Sequence, residues 1–239
     1  MTGSHNTYYR ISVYQIVFDD FFITSEASWF AACYPFQARF RFQFEKAVVV
    51  NGAGGLVVYE KDGGKIGFVG AEITFWYYSH RNLLRSQIEQ LKADGCQVVV
   101  AVMHGGIEYA TRHEKAQRLF AESAMEYGAD IVIGHHPHVL QGIDVMNGKT
   151  VCYSLGNFVS GMAAPINQVG GLFTFSVVSD GKGGVKIDKP LLTPTVFYYG
   201  PNWFNTHVYL LEDYTGDIAA SHGVSINGYT LSADAAKKI

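Results

Sequence analysis

The chain has 239 residues, 48% of them hydrophobic and 16% charged, with a formal net charge of −3. This is globular composition, enough for one large domain or one domain with an appendage, and it lacks the basic balance of a nucleic-acid binder. No apolar run reaches the roughly 18 residues of a membrane span, and the scattered Cys33, Cys96 and Cys152 form neither a metal-ligand pattern nor a disulfide framework, so they read as small core residues.

Residues 1–46 form an atypical, aromatic-rich segment without a steady period, in which pieces such as RFRFQF alternate like strands. The opening MTGSHNTYYR lacks the basic-then-apolar order of an export signal, so neither signal nor anchor is expected within this chain. From residue 47 the pattern becomes legible. Glycine-rich turns break up AVVVNGAGGLVVYEKDGGKIGFVG, where KIGFVG is expected to be a buried strand. In RNLLRSQIEQLKADG, Leu84, Ile88 and Leu91 share one helical face and Gly95 supplies a stop. QVVVAVMH is a near-continuous apolar run, the mark of a strand covered on both faces. Thr111 and Glu114 match a T-x-x-E capping box opening a helix through Leu119, Phe120, Ala124 and Tyr127 to Gly128, and DIVIG follows as a strand.

Strand, helix, strand, helix, strand with short connections predicts an α/β fold with a parallel sheet and right-handed crossovers. In such sheets the loops beyond the strands' carboxyl ends gather at one edge, where ligands bind. MHGGIEY follows one strand end and GHHPHVLQ the next, so both are expected at that edge. Later come a hairpin with an Asn147-Gly148 turn, the strands GLFTFSVV and GGVKIDKPLLTPTVF joined by SDGKGG, and the strand-like THVYLL. The main domain is expected over 47–199, with 200–239 as an extension of it.

GHHPHVLQ sets three imidazoles in four positions. Proline disfavours the helical region for the residue before it, so His136 is expected to be extended, with His136 and His138 facing one side and His135 the other. Two such imidazoles can hold one divalent ion, or two neighbouring ions, of the Zn, Mn or Fe kind. His104 can add a third nitrogen, and Glu108 either a carboxylate or a general acid/base. Spacing alone fits solvated or backbone-bonded rings equally well; the shared sheet edge is what favours a joint site. Glu108 reads as well as a solvated loop acid, and Asn157 in SLGNFVS as a turn residue or as a group that ligates or positions a phosphate or water. Arg112 and His113, in the expected first helical turn, read as surface residues. NGAGG and GKGG lack phosphate-loop or dinucleotide spacing, and His5, His80, His207 and His222 show no partner pattern.

MHGGIEY followed by GADIVIGHHPHVLQGIDVMNGKTVCYSLGNFVSG resembles the CapA family of bacterial capsule and poly-γ-glutamate synthesis proteins, over residues 47 to 215. The resemblance implies a metallophosphatase-like layered β-sandwich, two packed mixed sheets flanked by helices, with a metal centre at one edge. It implies His104, His136 and His138 as metal ligands and Glu108 and Asn157 as catalytic positions. The implied cofactor is a divalent ion, Mn, Zn or Fe, and the implied partners are an anionic polymer such as poly-γ-glutamate or a capsule synthase complex, outside the cytoplasm at the cell envelope. Two departures stand out. Gly105 replaces the tryptophan of the family's His-Trp-Gly, and the Gly-Asp, acidic and Asn-Asn-His motifs that should supply oxygen ligands are not found upstream of Lys65. His5-Asn6 and Asp19-Asp20 lack the right surroundings. The chain thus resembles the later part of such a domain joined to an unrelated beginning, lacking the N-terminal strands, with a sheet edge open unless the aromatic segment or another chain fills it. The expected function is a metal-dependent, phosphatase-like hydrolase site in polymer synthesis. The alternatives are a non-catalytic polymer- or synthase-binding domain with a degenerate centre, and, by fold analogy, a metallophosphoesterase acting on small phosphoesters.

Overall fold

The computed structural model describes residues 8–13, 56–61, 64–73, 77–179, 185–203 and 205–239. In chain order the elements are β1 (Tyr8–Val13), β2 (Leu56–Lys61), β3 (Gly64–Glu72), α1 (Tyr77–Ala93), β4 (Val98–His104), α2 (Lys115–Tyr127), β5 (Ile131–His135), β6 (Ile143–Met146), β7 (Lys149–Cys152), β8 (Val169–Ser179), β9 (Val185–Tyr198), β10 (His207–Leu210), α3 (Gly216–Ala220) and α4 (Ala233–Ala236). A six-stranded sheet has the order β2-β3-β4-β5-β7-β6, and a four-stranded sheet the order β1-β8-β9-β10.

The apolar strands β3, β4 and β5 are buried on both faces, and alternation sends successive residues into two cores. Val69, Val99, Ala101, Met103 and Val132 face a cluster with Leu84, Ile88 and Leu91 of α1 and Phe120, Ala121 and Ala124 of α2. Ile66, Phe68, Val98, Val100, Ile131 and Ile133 face the opposite way and pack on Phe173, Phe175 and Val177 of β8. The result is three layers: helices, six-stranded sheet, four-stranded sheet. Each fully buried Leu or Ile of the α1 stripe contributes about 1.5–3 kcal/mol. A third cluster joins β9 to the C-terminal segment through Val196, Tyr199, Tyr214, Val224 and Leu231.

The α/β class and the parallel core β3-β4-β5 follow the sequence reading; β7, read only as part of a hairpin, extends that core in parallel beside β5. The β6–β7 hairpin turns on Asn147 and Gly148, both at positive φ (51° and 77°), and Gly95 and Gly128 close α1 and α2 in the left-handed region. Other expectations change. The four-stranded sheet is antiparallel throughout rather than mixed. α1 begins at Tyr77, earlier than its apolar stripe suggested. The capping box lies one turn later than T-x-x-E: Glu114 is the N-cap, its N–H donates to Gln117 Oε1 at 3.0 Å, and Thr111 lies in a bend before the helix. Arg112 and His113 therefore precede α2, and the His113 ring stacks on Tyr153 with centroids 3.7 Å apart, so it is not a free surface group.

From the aromatic N-terminal segment, Tyr8–Val13 forms β1 along β8, while RFRFQF, Asp19-Asp20, His5 and Cys33 lie outside the described residues, as do NGAGG and the GKGG turn. Cys96 and Cys152 are buried free thiols, as expected of core residues. Among the described residues no helix is long and apolar enough to cross a membrane.

Candidate metal centre

Parallel pairing brings three strand ends together. Glu72 at the end of β3 stands opposite His104 at the end of β4, and His104 opposite His135 at the end of β5. The ladder continues one step past the strands, with Ile73 N–H donating to His104 O (2.8 Å) and Gly105 N–H to His135 O (3.0 Å). This is the carboxyl edge at which ligands collect in open α/β sheets.

Beyond β5 the chain turns sharply. His136 has φ 102° and His138 φ 59°, both in the left-handed region that disfavours side chains. The proline rule therefore fails to make His136 extended. The rings of His136 and His138 stand with centroids 6.0 Å apart, and His135, the last strand residue, is buried like His138 and lies within electrostatic reach of His104. Side-chain and loop contacts fix the turn. Tyr109 N–H donates to Pro137 O (2.8 Å) and Asn167 Nδ2 to His138 O (3.0 Å). Gly134 precedes the histidines because nothing larger fits: a Cβ there would lie 1.9 Å from Tyr153 O.

Glu108 reaches this turn on the loop between β4 and α2. A pair of buried glutamines fastens that loop. Gln117, fully buried on α2, donates from Nε2 to Gln141 Oε1 (2.7 Å) and Tyr153 O (3.1 Å). Gln141, the last residue of GHHPHVLQ, donates to Ala110 O (2.8 Å) and Arg112 O (3.2 Å). Every polar bond here is buried or half-buried, so the loop cannot move without stranding polar groups.

The donors of Glu108, His136 and His138 all lie within 4.8 Å of one another. Asn157, fully buried, explains how His138 presents itself. Its Nδ2 donates to Asn167 O (3.1 Å), so its Oδ1, 3.0 Å from His138 Nδ1, must accept from an Nδ1–H. That leaves the lone pair on Nε2, the form a metal requires. An exposed carboxylate and two imidazoles, one of them oriented by a buried amide, suit a divalent ion with open positions. His104 stands at the side of this group, its ring edge-on to His136 with centroids 4.9 Å apart. Burial pushes its imidazole below the usual range, Glu72 opposes that, and His136 and His138 reinforce it. Burial likewise holds His135 neutral, down to about 3.

Of the residues chosen from sequence, Glu108, His136 and His138 converge, His104 borders them, and Asn157 lies behind His138. Sequence reasoning missed Glu72, Gln117, Gln141 and Asn167. Gln141 sat inside the quoted motif, and Glu72 was legible as the one acid ending the apolar strand GKIGFVGAE.

Residues 36–162 match the family described as "Bacterial capsule synthesis protein PGA_cap". The chain is 38% identical over 90 residues to "PGA biosynthesis protein CapA" of Bacillus subtilis (strain 168), covering 38% of this chain and 24% of that protein. It is 42% identical over 74 residues to "Capsule biosynthesis protein CapA" of Bacillus anthracis, covering 31% and 18%. The chain thus spans about a quarter or less of these relatives. A hypothetical protein from Thermus thermophilus is similar in structure, with 16% identity and a TM-score of 0.41 over 59% of this chain and 62% of that one.

Proposed function

This chain belongs to the bacterial capsule synthesis protein PGA_cap family, and from that premise we propose a metal-dependent, phosphatase-like hydrolase site at its Glu108–His136–His138 edge, serving synthesis or processing of a capsular or poly-γ-glutamate polymer at the cell envelope. The observation that carries the reading is the convergence of those three donors within 4.8 Å, with His138 held in the metal-accepting tautomer by Asn157. Glu108, His136 and His138 would hold the ion, with His104 at its flank. A divalent ion there supplies Lewis acidity toward a phosphoryl or acyl oxygen. Glu108, on the exposed loop, is the group open to substrate and to proton movement. Asn157 is a positioning residue, since its polar atoms are engaged by His138 and Asn167. The metallophosphatase-like arrangement of two facing sheets is part of the same proposal, as is an anionic polymer or a synthase complex as partner.

A second reading is a non-catalytic domain that binds polymer or synthase. The exposure of Ile107 (60%) and Tyr109 (51%) on either side of Glu108 favours it, because an apolar rim suits a docked partner. Titration of metal-stripped protein with MnCl2 or ZnCl2, followed by hydrolysis assays on aryl phosphomonoesters and diesters, separates the two. Ion uptake that is lost in His136→Ala, with Mn-dependent hydrolysis, supports the hydrolase. No uptake of either ion overturns it and leaves the binding domain.

A further inference from the structure

We propose that Tyr109 is a substrate-contacting residue of the candidate centre: its phenol donates a hydrogen bond to an anionic oxygen, phosphoryl or carboxylate, of a group lodged against the Glu108–His136–His138 position. The inference rests on the metal reading of that group and adds what meets the substrate there. Among the described residues, seven other than glycine have positive φ, and three of them, Tyr109 (64°), His136 and His138, meet at this corner. Asn147 and Asn205 are of the type that tolerates such a backbone. A bulky tyrosine is an outlier there, of the kind that persists only where its surroundings over-determine it and that collects at ligand sites. Bonds on both sides enforce it here. Tyr109 N–H donates to Pro137 O (2.8 Å), Ala110 N–H donates to Ile107 O (3.2 Å), and Ala110 O accepts from Gln141 Nε2 (2.8 Å).

Burial does not offset that strain. Tyr109 is 51% exposed, so asparagine or glycine would follow the same backbone with less strain and little burial lost. What the ring has instead is position. Its centroid is 6.5 Å from that of His138, and the Glu108 carboxylate lies within electrostatic reach of its phenol. Tyr109 thus stands beside two of the three candidate ligands while half of it faces solvent. The Asn157 amide is engaged by His138 and Asn167, and the Gln117 and Gln141 amides hold the loop. The phenol is an exposed, neutral O–H donor on the same loop as Glu108, and an anion lodged on a cation offers lone pairs to such a donor.

Calorimetry on the full chain, stripped of metal and then loaded with Mn, tests this, with inorganic phosphate and glutarate as the probe anions. The Mn-loaded wild type is expected to bind at least one of them, phosphate if the substrate group is phosphoryl and glutarate if it is a carboxylate. Tyr109→Phe keeps the ring and loses the hydroxyl. It should bind that anion about tenfold more weakly while taking up Mn as the wild type does. Tyr109→Asn should lose anion affinity likewise and unfold at no lower urea concentration than the wild type. Equal anion affinity in the wild type and Tyr109→Phe overturns the proposal while the Glu108 site stands, and so does a Mn-loaded wild type that binds neither anion. Weaker Mn uptake in Tyr109→Phe would mean that the hydroxyl serves the ion, and a lower urea midpoint in Tyr109→Asn that the ring braces the loop; either overturns it too. A wild type that takes up no Mn removes the metal reading and the proposal together.

Discussion

Asn157 and His138 are joined by one buried bond of 3.0 Å, and that bond decides which ring nitrogen of His138 faces the candidate centre. Replacing Asn157 with Leu removes the acceptor and frees the tautomer. Mn affinity is expected to fall about 10–100-fold, read by calorimetry on stripped protein. Asn157→Asp keeps an acceptor toward His138 and should bind Mn better than Asn157→Leu. If the two variants bind alike, orientation of His138 by residue 157 is not what matters.

Glu108 is exposed, so its loss should leave stability nearly untouched, within about 0.5 kcal/mol. Glu108→Gln is therefore expected to melt like the wild type but to bind Mn more weakly. A matched loss of stability would mean that the carboxylate braces the loop rather than facing an ion. Urea unfolding beside calorimetry distinguishes these.

The glutamine pair gives the opposite pattern. Gln117→Leu strands Gln141 Oε1, Tyr153 O and the Glu114 N–H, all in buried or half-buried surroundings. Each stranded group costs about 1–3 kcal/mol, so a clear drop in urea midpoint is expected. Metal affinity should fall as well, because the Glu108 loop loses its anchor.

His222 should make stability pH-dependent. It is buried, its Nε2 donates to Phe197 O (3.0 Å) and its Nδ1 accepts from Val224 N–H (3.1 Å), so only the neutral ring fits. The rings of Tyr198, Tyr199 and Tyr214 surround it. Burial lowers its pKa below the usual 6.5, and the bond to Phe197 O partly offsets this. Below pH 6.5 the unfolded chain takes up a proton that the folded chain refuses. Stability is therefore whole above that pH and falls as the pH drops beneath it, by at most about 1.4 kcal/mol per unit for this group. Unfolding free energies measured between about pH 7.5 and pH 5, with His222→Gln as a less steep control, check the sign.

Sequence patterning revealed the parallel core because β3, β4 and β5 are apolar on both faces and are separated by one periodic helix and one capped helix. It revealed the meeting of the MHGGIEY and GHHPH loops for the same reason, since adjacent parallel strands end side by side. It failed at His136, where the local proline rule predicts an extended residue but long-range bonds from Tyr109 and Asn167 hold the turn in a left-handed path. It also missed Gln117 and Gln141. Their importance depends on register and cross-chain contact, which no local period encodes.

The left-handed backbone at positions 136 and 138 has its own price. A side chain held there costs about 1–3 kcal/mol, and glycine would relieve it at either position. Glycine variants at these sites would therefore be sturdier and lack two of the three candidate ligands. Engineering this fold for heat resistance by relaxing left-handed residues would, at this corner, dismantle the candidate centre first.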